Sequence, residues 1–493
     1  MARQPACCHG KTSLRLTPLG PQHRVPETTD SLARRLRRTI IRAAKTHEEV
    51  KLGNDTSAAA KGIEARAIQK LQIRLIPFLF LLYVVAFVDR INIGFAALTM
   101  NKELGITSQQ YGFAAGIFFI GYFLFEVPSN LMLHKVGARV WIARILLSWG
   151  LVATLTGLVQ SVHQLYVARI LLGVTEAGYF PGIVLYLTYW FPQREQARTL
   201  ALFLTGYPVT SIVGAPISGL ILEHVHWLGI GSWRWLFVLE GIPAIALGLL
   251  TYFVLPCRPS EAKFLTREEK EWLQKELERE EQLKLKQRRH SAIEGLTNLK
   301  VWHLVLVYFG MMIGSYTMAF WMPQMVKALS SGYSNSFVGY VVMIPYLAAL
   351  VGMILVSRSS DRRLERRYHV AISLLLGGIA FISLRGIHSP LVTVVLLACL
   401  AIGYCSSLSP FWALPSEFLT GFSAASGIAL INSVGNLGGF TGSTVVGFIE
   451  QKTGSLDGGL AFAGTAMFVS AALVVLLPKT AGVRLVAETQ TSP

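Results

Sequence analysis

The sequence predicts an all-α membrane protein, a bundle of twelve helices in two pseudo-symmetric sets of six, and three observations predict it. Of 493 residues, 52% are hydrophobic and only 15% charged, with a mean hydropathy of +0.48, whereas a soluble domain carries about a quarter charged residues. Apolar runs of the roughly 20 residues needed to cross the hydrocarbon core recur twelve times. Lys and Arg collect between alternate runs, so the net charge of +17 and the pI near 9.8 read as topology signals rather than as a nucleic-acid footprint.

Residues 1–70 come first and differ in kind. They hold no apolar run long enough for a signal h-region and are rich in Arg, Ser, Thr and Ala. SLARRLRRTIIRAAK has the pattern of a basic amphipathic helix for anionic lipid, but the plainer reading is a disordered cytoplasmic leader or a start placed too far upstream. A transit peptide would share this composition. Six windows follow at about 72–97, 111–132, 140–159, 164–190, 199–222 and 235–255, an N-terminal half over 71–256. With no water to satisfy backbone groups, runs this long form helices, because barrel strands would show segments of about ten alternating residues. The stretch 257–300 contains KFLTREEKEWLQKELEREEQ, in which Thr266 and Glu269 form a capping-box pattern ahead of mixed charges. It predicts a solvated linker helix on the cytoplasmic side. Six more windows at about 302–326, 336–356, 370–386, 390–411, 425–449 and 459–478 make a C-terminal half over 301–478, and 479–493 is a cytoplasmic tail.

Orientation comes from the short loops. His134, Lys135 and Arg139 lie in the second, Arg194 and Arg198 in the fourth, and Arg358, Arg362, Arg363, Arg366 and Arg367 in the eighth, while the intervening loops carry isolated residues such as Lys102, Arg234, Arg385 and Lys452. Both termini are therefore expected in the cytoplasm. Reporter fusions after Arg139, inside 265–290 and after Pro478 should read as cytoplasmic and one after Gln160 as external; an external 265–290 segment would overturn the helix count.

Four ionisable residues sit inside runs that otherwise suit lipid: Asp89 and Arg90 in LYVVAFVDRINIGFAA, and Arg169 and Glu176 in YVARILLGVTEAGYFPG. A charge at membrane depth costs about 2.5–3.5 kcal/mol on insertion scales, so it usually faces a watery cavity where it handles an ion or substrate. Arg169 and Glu176 are seven apart, two turns along nearly one face, with Gly173 between them. A guanidinium offers a planar fork to a carboxylate and keeps its charge, which makes Arg90 and Arg169 candidates for holding an organic anion. Asp89 and Glu176 are candidates for carrying a coupled proton. The bland alternative is that each Arg neutralises an acid, Asp89 with Arg90 or Glu176 with Arg169, and locks the bundle.

Other polar residues are weaker candidates. Asn432 and Asn436, one turn apart in INSVGNLGGF, could hydrogen-bond a hydroxyl or carboxylate, yet glycine-rich helices also use Asn to join helices. Tyr207 and Tyr83 could line a cavity or simply pack. His134, His303 and His369 lie near helix ends, and Tyr189, Trp190, Trp233 and Trp235 suit an interfacial aromatic belt. The five cysteines, Cys7, Cys8, Cys257, Cys399 and Cys405, make no metal quartet and read as free thiols.

LHKVGARVWIAR after the second run and SRSSDRRLERRYHVA after the eighth occupy equivalent places in the two halves, as in transporters built from repeats. They resemble the G-x-x-x-D-R-x-G-R-R loop of the major facilitator superfamily, degenerate here but recognisable in Gly137, Arg139, Asp361, Arg362 and Arg363. The resemblance implies that these residues are gating apparatus. RLIPFLFLLYVVAFVDRINIGFA, EVPSNLMLHKVGARVWIARI, RILLGVTEAGYFPGIVLYLTYWFP, FWMPQMVKAL and NSVGNLGGFTGS together resemble its anion:cation symporter branch, which includes bacterial tartrate, phthalate, hydroxyphenylacetate and sugar-acid permeases. The similarity runs from Leu71 to Pro478, and Ser443 departs from it where the branch pattern has proline. It implies proton symport of a small organic anion across the bacterial inner membrane, with anion-holding arginines and proton-carrying acids at the matching positions. No cofactor beyond a coupling ion, H+ or else Na+, is implied, and a monomer is expected to suffice.

Enzyme and ATP-driven readings find no support, since H-E-x-x-H, G-x-S-x-G and Walker patterns are absent from the sequence. A proton-coupled efflux antiporter of the same superfamily is the alternative. Such carriers tend to show G-P-x-x-G-G in the fifth helix, where this chain reads GAPISGL.

Overall fold

The computed structural model describes residues 29–286, 296–330, 332–415, 418–419 and 421–477, and all its regular structure is helical. The chain divides into two compact units, 1–62 and 63–493. In the first, residues 29–62 are helical as the opening of α1 (Thr29–Glu103), where sequence favoured a disordered leader. No proline lies between Pro26 and Pro77, and the strong helix formers Ala, Arg, Lys and Glu are frequent on both sides of the weaker stretch Gly53-Asn54-Asp55-Thr56-Ser57.

The second unit holds the expected spans. They are the rest of α1, then α2 (Ser108–Val136), α3 (Ala138–Thr156), α4 (Val162–Glu176) with α5 (Tyr179–Thr188), α6 (Gln193–Leu204) with α7 (Gly206–His224), and α8 (Ser232–Val254). After the linker helix α9 (Arg267–Lys286) come α10 (Leu299–Ala328), α11 (Asn335–Arg363), α12 (Arg367–Ser383), α13 (Pro390–Ala413), α14 (Gly421–Thr453) and α15 (Asp457–Leu476). Among the described residues ten helical stretches are long and apolar enough to cross a membrane, counting α4 with α5 as one; α12, at 17 residues, and the glycine-rich α14 complete twelve.

Two spans that read as continuous in sequence are broken. Between α4 and α5, Gly178 takes the left-handed conformation (φ 84°), and a Cβ there would lie 2.7 Å from the Cβ of Ser129, so no larger residue fits. Between α6 and α7, Pro208 has no N–H for the Leu204 carbonyl, and the helix is interrupted at Thr205. By contrast α14 runs unbroken through Ser443, whose hydroxyl donates to the Gly439 carbonyl at 2.7 Å.

The two halves meet along α2 with α14 and α7 with α11. At the end away from the arginine-rich loops the helices touch backbone to backbone. A Cβ on Gly116 would lie 2.9 Å from the Phe440 carbonyl oxygen, one on Gly219 3.2 Å from the Cα of Gly339, and one on Gly94 2.9 Å from the Ala319 carbonyl oxygen. A cavity of about 310 Å³ at the arginine-rich end is lined in part by Gln72, Ile76, Thr199, Met353, Arg358 and Asp361, and one of about 490 Å³ at the opposite end by residues that include Thr107, Phe113, Tyr166 and Thr444.

The linker helix α9 starts with the expected capping box: Glu269 N–H to Thr266 Oγ1 at 3.3 Å and Thr266 N–H to Glu269 Oε2 at 2.8 Å. It docks through charge, Lys70 on Glu269 at 2.8 Å and Arg194 between Glu64 (2.5 Å) and Glu276 (3.6 Å). Burial works against the Glu269 carboxylate, but Lys70 and the Thr266 donors outweigh it and hold its pKa below the usual range. Of the signature residues, Gly137 (φ 95°) joins α2 to α3 without a spare residue, and the Arg139 guanidinium lies 5.7 Å from the Tyr252 ring and 4.0 Å from Glu261. Asp361, in the last turn of α11, pairs with Arg366 just before α12, next to the exposed Arg362 and Arg363.

Candidate functional site

Asp89 and Arg90 are neighbours on α1, so their side chains leave the helix about 100° apart and cannot share one partner. Arg90 turns to α4 and α10. Its Nη2 donates to Glu176 Oε1 in a buried ion pair, and its Nη1 donates to the Tyr316 hydroxyl at 3.1 Å. The rings of Phe87, Phe118 and Tyr122 surround the guanidinium at 4.5, 5.2 and 5.3 Å.

This pairing differs from both neutralising pairs suggested by sequence. Arg169 and Glu176, two turns apart, are separated by about 10.5 Å along the axis, too far for a direct ion pair within one helix. Instead Arg169 donates from Nε and Nη2 to the Ala114 and Ala115 carbonyls of α2, each at 3.4 Å, and lies 5.1 Å from the Phe118 ring. Phe118 therefore stands next to both guanidiniums. Arg90, Arg169 and Glu176 are 5%, 0% and 0% exposed, so the site is closed to solvent. Three polar atoms in it have no hydrogen-bond partner: Arg90 Nε, Arg169 Nη1 and Glu176 Oε2. Taken by themselves, these two guanidiniums and one carboxylate carry a formal excess of one positive charge in a low-dielectric setting, which is costly unless other groups balance it.

The remaining candidates fall elsewhere. Asn432 donates to Glu126 Oε1 at 2.6 Å, Ser433 donates to Glu126 Oε2 at 2.6 Å, and Asn436 donates to the Asn432 carbonyl at 2.9 Å. In this structure the Asn pair thus joins α14 to α2, the gluing alternative. Tyr207 shares a hydrogen bond with Ser315 of α10 at 2.9 Å, and its ring lies 5.6 Å from Phe87 and 5.3 Å from Tyr404, one residue layer from Arg90. Tyr83 packs on Phe87 and Phe203.

His303 bonds the Leu473 carbonyl and His369 bonds Glu365 and Ser359, both near helix ends; the side chain of His134 lies outside the described residues. Trp190 and Trp233 are buried rather than belt residues, because Trp190 packs on Tyr186 and Phe264 and Trp233 donates to Glu103 at 2.8 Å. Cys257, Cys399 and Cys405 are free thiols; Cys7 and Cys8 lie outside the described residues.

Sequence reasoning missed Tyr316, Tyr122 and two buried acids, Glu126 on α2 and Glu240 on α8, 1% and 5% exposed. The signal for the acids was available, since both lie inside apolar windows drawn from the sequence. Tyr316 gave none, because only the fold brings α10 against α1.

A family model described as Major Facilitator Superfamily matches residues 79–443. A protein of Agrobacterium vitis named a tartrate transporter is 46% identical over 419 residues, 85% of this chain and 96% of that one. A protein of Acinetobacter baumannii named a quinolone resistance transporter is 39% identical over 414 residues, 84% of this chain and 95% of that one. Among solved structures, the xylose transporter XylE from E. coli in a partially occluded inward open conformation matches with a TM-score of 0.64 at 15% identity, covering 83% of this chain and 99% of that one.

Proposed function

The chain belongs to the major facilitator superfamily, a family of membrane transporters, and from that premise we propose that it imports a small organic anion together with a proton. The anion class is a carboxylate such as tartrate, a sugar acid or an aromatic acid. The observation that carries this reading is the buried contact of Arg90 with Glu176, beside an Arg169 whose Nη1 has no partner.

Glu176 and an incoming carboxylate compete for the same fork on Arg90. Protonation of Glu176 weakens its hold, and Arg90 and Arg169 then present two guanidiniums to the anion. Deprotonation returns Arg90 to Glu176 and expels the cargo. Proton and anion are thereby loaded and unloaded together, and one proton with a monoanion makes the cycle electroneutral. Tyr207 and the Asn432–Asn436 pair would contact hydroxyls of the cargo once the halves move. In this cycle the six-helix halves rock about the central site, Gly137, Arg139 and Asp361 to Arg363 hold the gating loops, and both termini lie in the cytoplasm of a bacterial cell, the protein acting as a monomer in its inner membrane.

The Acinetobacter relative's name favours one second reading, a proton-coupled efflux antiporter. Proteoliposomes separate the two. With an inward proton gradient, labelled tartrate, gluconate or 4-hydroxybenzoate should accumulate in the vesicles, and a cationic dye should not. Dye expelled by that gradient, with no acid uptake, would overturn the symport reading in favour of efflux. Accumulation driven by a sodium gradient at constant pH would overturn the choice of proton.

A further inference from the structure

Glu126 continues a ladder of α2 side chains that starts at the two guanidiniums. Phe118 lies 5.1 Å from Arg169 and 5.2 Å from Arg90, Tyr122 lies 5.3 Å from Arg90, and Glu126 follows four residues later, one turn or about 6 Å toward the arginine-rich end. The spacing is held by backbone. Arg169 donates to the Ala114 and Ala115 carbonyls of α2, and Gly173 of α4 abuts the Phe118 carbonyl, so α2 and α4 keep these side chains in register.

Glu126 is 1% exposed, and each of its oxygens accepts from one neutral donor on α14: Oε1 from the Asn432 amide and Oε2 from the Ser433 hydroxyl, both at 2.6 Å. Both donors belong to the opposite half. When the halves rock, α14 draws its donors away from α2, whereas Glu126 stays in the half that carries Arg90, Arg169 and Glu176. A buried carboxylate stripped of two donors costs free energy until other O–H or N–H groups replace them. Two adjacent hydroxyls on one carbon chain supply that replacement, one O–H to each oxygen. A bare hydrocarbon chain supplies none.

We propose that Glu126 is a specificity-determining residue, selecting cargo in which a carboxylate is followed by adjacent hydroxyls, with the cargo carboxylate on the arginines and the diol on Glu126. The cargo class is thereby narrowed to hydroxylated aliphatic acids, to the exclusion of bare and aromatic ones. This rests on the organic-anion reading of the Arg90 site, and it does not depend on which ion drives transport. Asn432 and Ser433 then act as stand-ins that satisfy Glu126 while no cargo is bound.

The test is calorimetric binding to the purified full-length protein in lipid, with tartrate set against succinate, gluconate against hexanoate, and 4-hydroxybenzoate alongside. The tighter-binding of the two hydroxylated acids should exceed its bare counterpart by about ten- to hundred-fold. Glu126→Gln leaves a single carbonyl to accept, so this ratio should fall about tenfold. Should that variant fail to insert, Glu126→Asp, which withdraws the carboxylate by one methylene, should lower the ratio as well. Ser433→Ala breaks the same contact between the halves but keeps the carboxylate, and it should leave the ratio unchanged; an equal fall in both variants would reduce Glu126 to a helix-joining role and overturn the proposal. It is overturned equally by a wild-type ratio near one, by tighter binding of a bare acid or of 4-hydroxybenzoate, or by binding of neither hydroxylated acid. Proton-driven uptake of an acid without adjacent hydroxyls would sink this inference and leave the symport reading standing. A ratio that is lost in Glu126→Gln, in a protein showing no proton-driven uptake, would do the reverse.

Discussion

Glu176→Gln is expected to abolish accumulation of the anion against its gradient while labelled-for-unlabelled exchange continues. Glutamine keeps the shape of the side chain and an amide oxygen that still accepts from Arg90, so the guanidinium stays hydrogen-bonded although it loses its counter-charge, as it does when Glu176 is protonated. What it loses is the ability to alternate between holding Arg90 firmly and releasing it. The carrier then resembles the proton-loaded state at every pH: the anion enters, and it leaves only by exchange. In proteoliposomes with an imposed pH gradient, net uptake should fall to equilibration and counterflow should stay within a few-fold of the wild type. Continued concentration of the anion with wild-type pH dependence would place the coupling proton elsewhere, on Asp89 or on a sodium site. Asp89→Asn should show a similar loss if Asp89 shares the coupling, and a milder one if it mainly orients α1.

Arg169→Lys is expected to lose most transport although it keeps the charge. The guanidinium spreads donors from one plane, with Nε and Nη2 on the Ala114 and Ala115 carbonyls and Nη1 left for a ligand. A lysine ammonium is a point charge on a flexible stem and cannot brace against α2 while presenting a fork. Each hydrogen bond to a charged group contributes about 1.5–3 kcal/mol, so affinity for the anion should fall about ten- to hundred-fold for each one lost. Expression and membrane insertion should stay near normal. Near-wild-type uptake by a well-expressed Arg169→Lys protein would remove Arg169 from the site.

The spans were legible because lipid imposes one rule on every backbone group, and long apolar runs can satisfy it only as helices. Position along a span was less so. The break at Gly178 is written in TEAGYFPG, but a hydropathy window averages over it. Arg90, Arg169 and Glu176 were visible as charges out of place, whereas their partners were not, because Arg90 meets Glu176 across 86 positions and Tyr316 across 226. No local pattern encodes contacts at that range. Glu126 and Glu240 were passed over for a different reason: a lone acid in an apolar run looks like tolerated polarity until the fold shows that Asn432, Ser433 and Ser218 surround it. For Asn432 the sequence leaves cargo binding and helix joining both open, because it shows the amide and conceals Glu126 opposite.

The glycine contacts between the halves, at Gly116 with Phe440, Gly219 with Gly339 and Gly94 with Ala319, bear on how tightly the carrier can be sealed. A seal made of side chains can breathe, since a single rotamer flip opens a gap wide enough for a water or a proton. Backbone against backbone has no rotamers to flip, and whole helices must separate before anything passes. Leak is thereby limited to the rare moments when two halves part together, which under the proposed symport cycle would keep a proton gradient for cargo instead of letting it slip through an idle protein. An alanine at Gly219 would wedge that seam, and its signature would be a proton current in the absence of substrate.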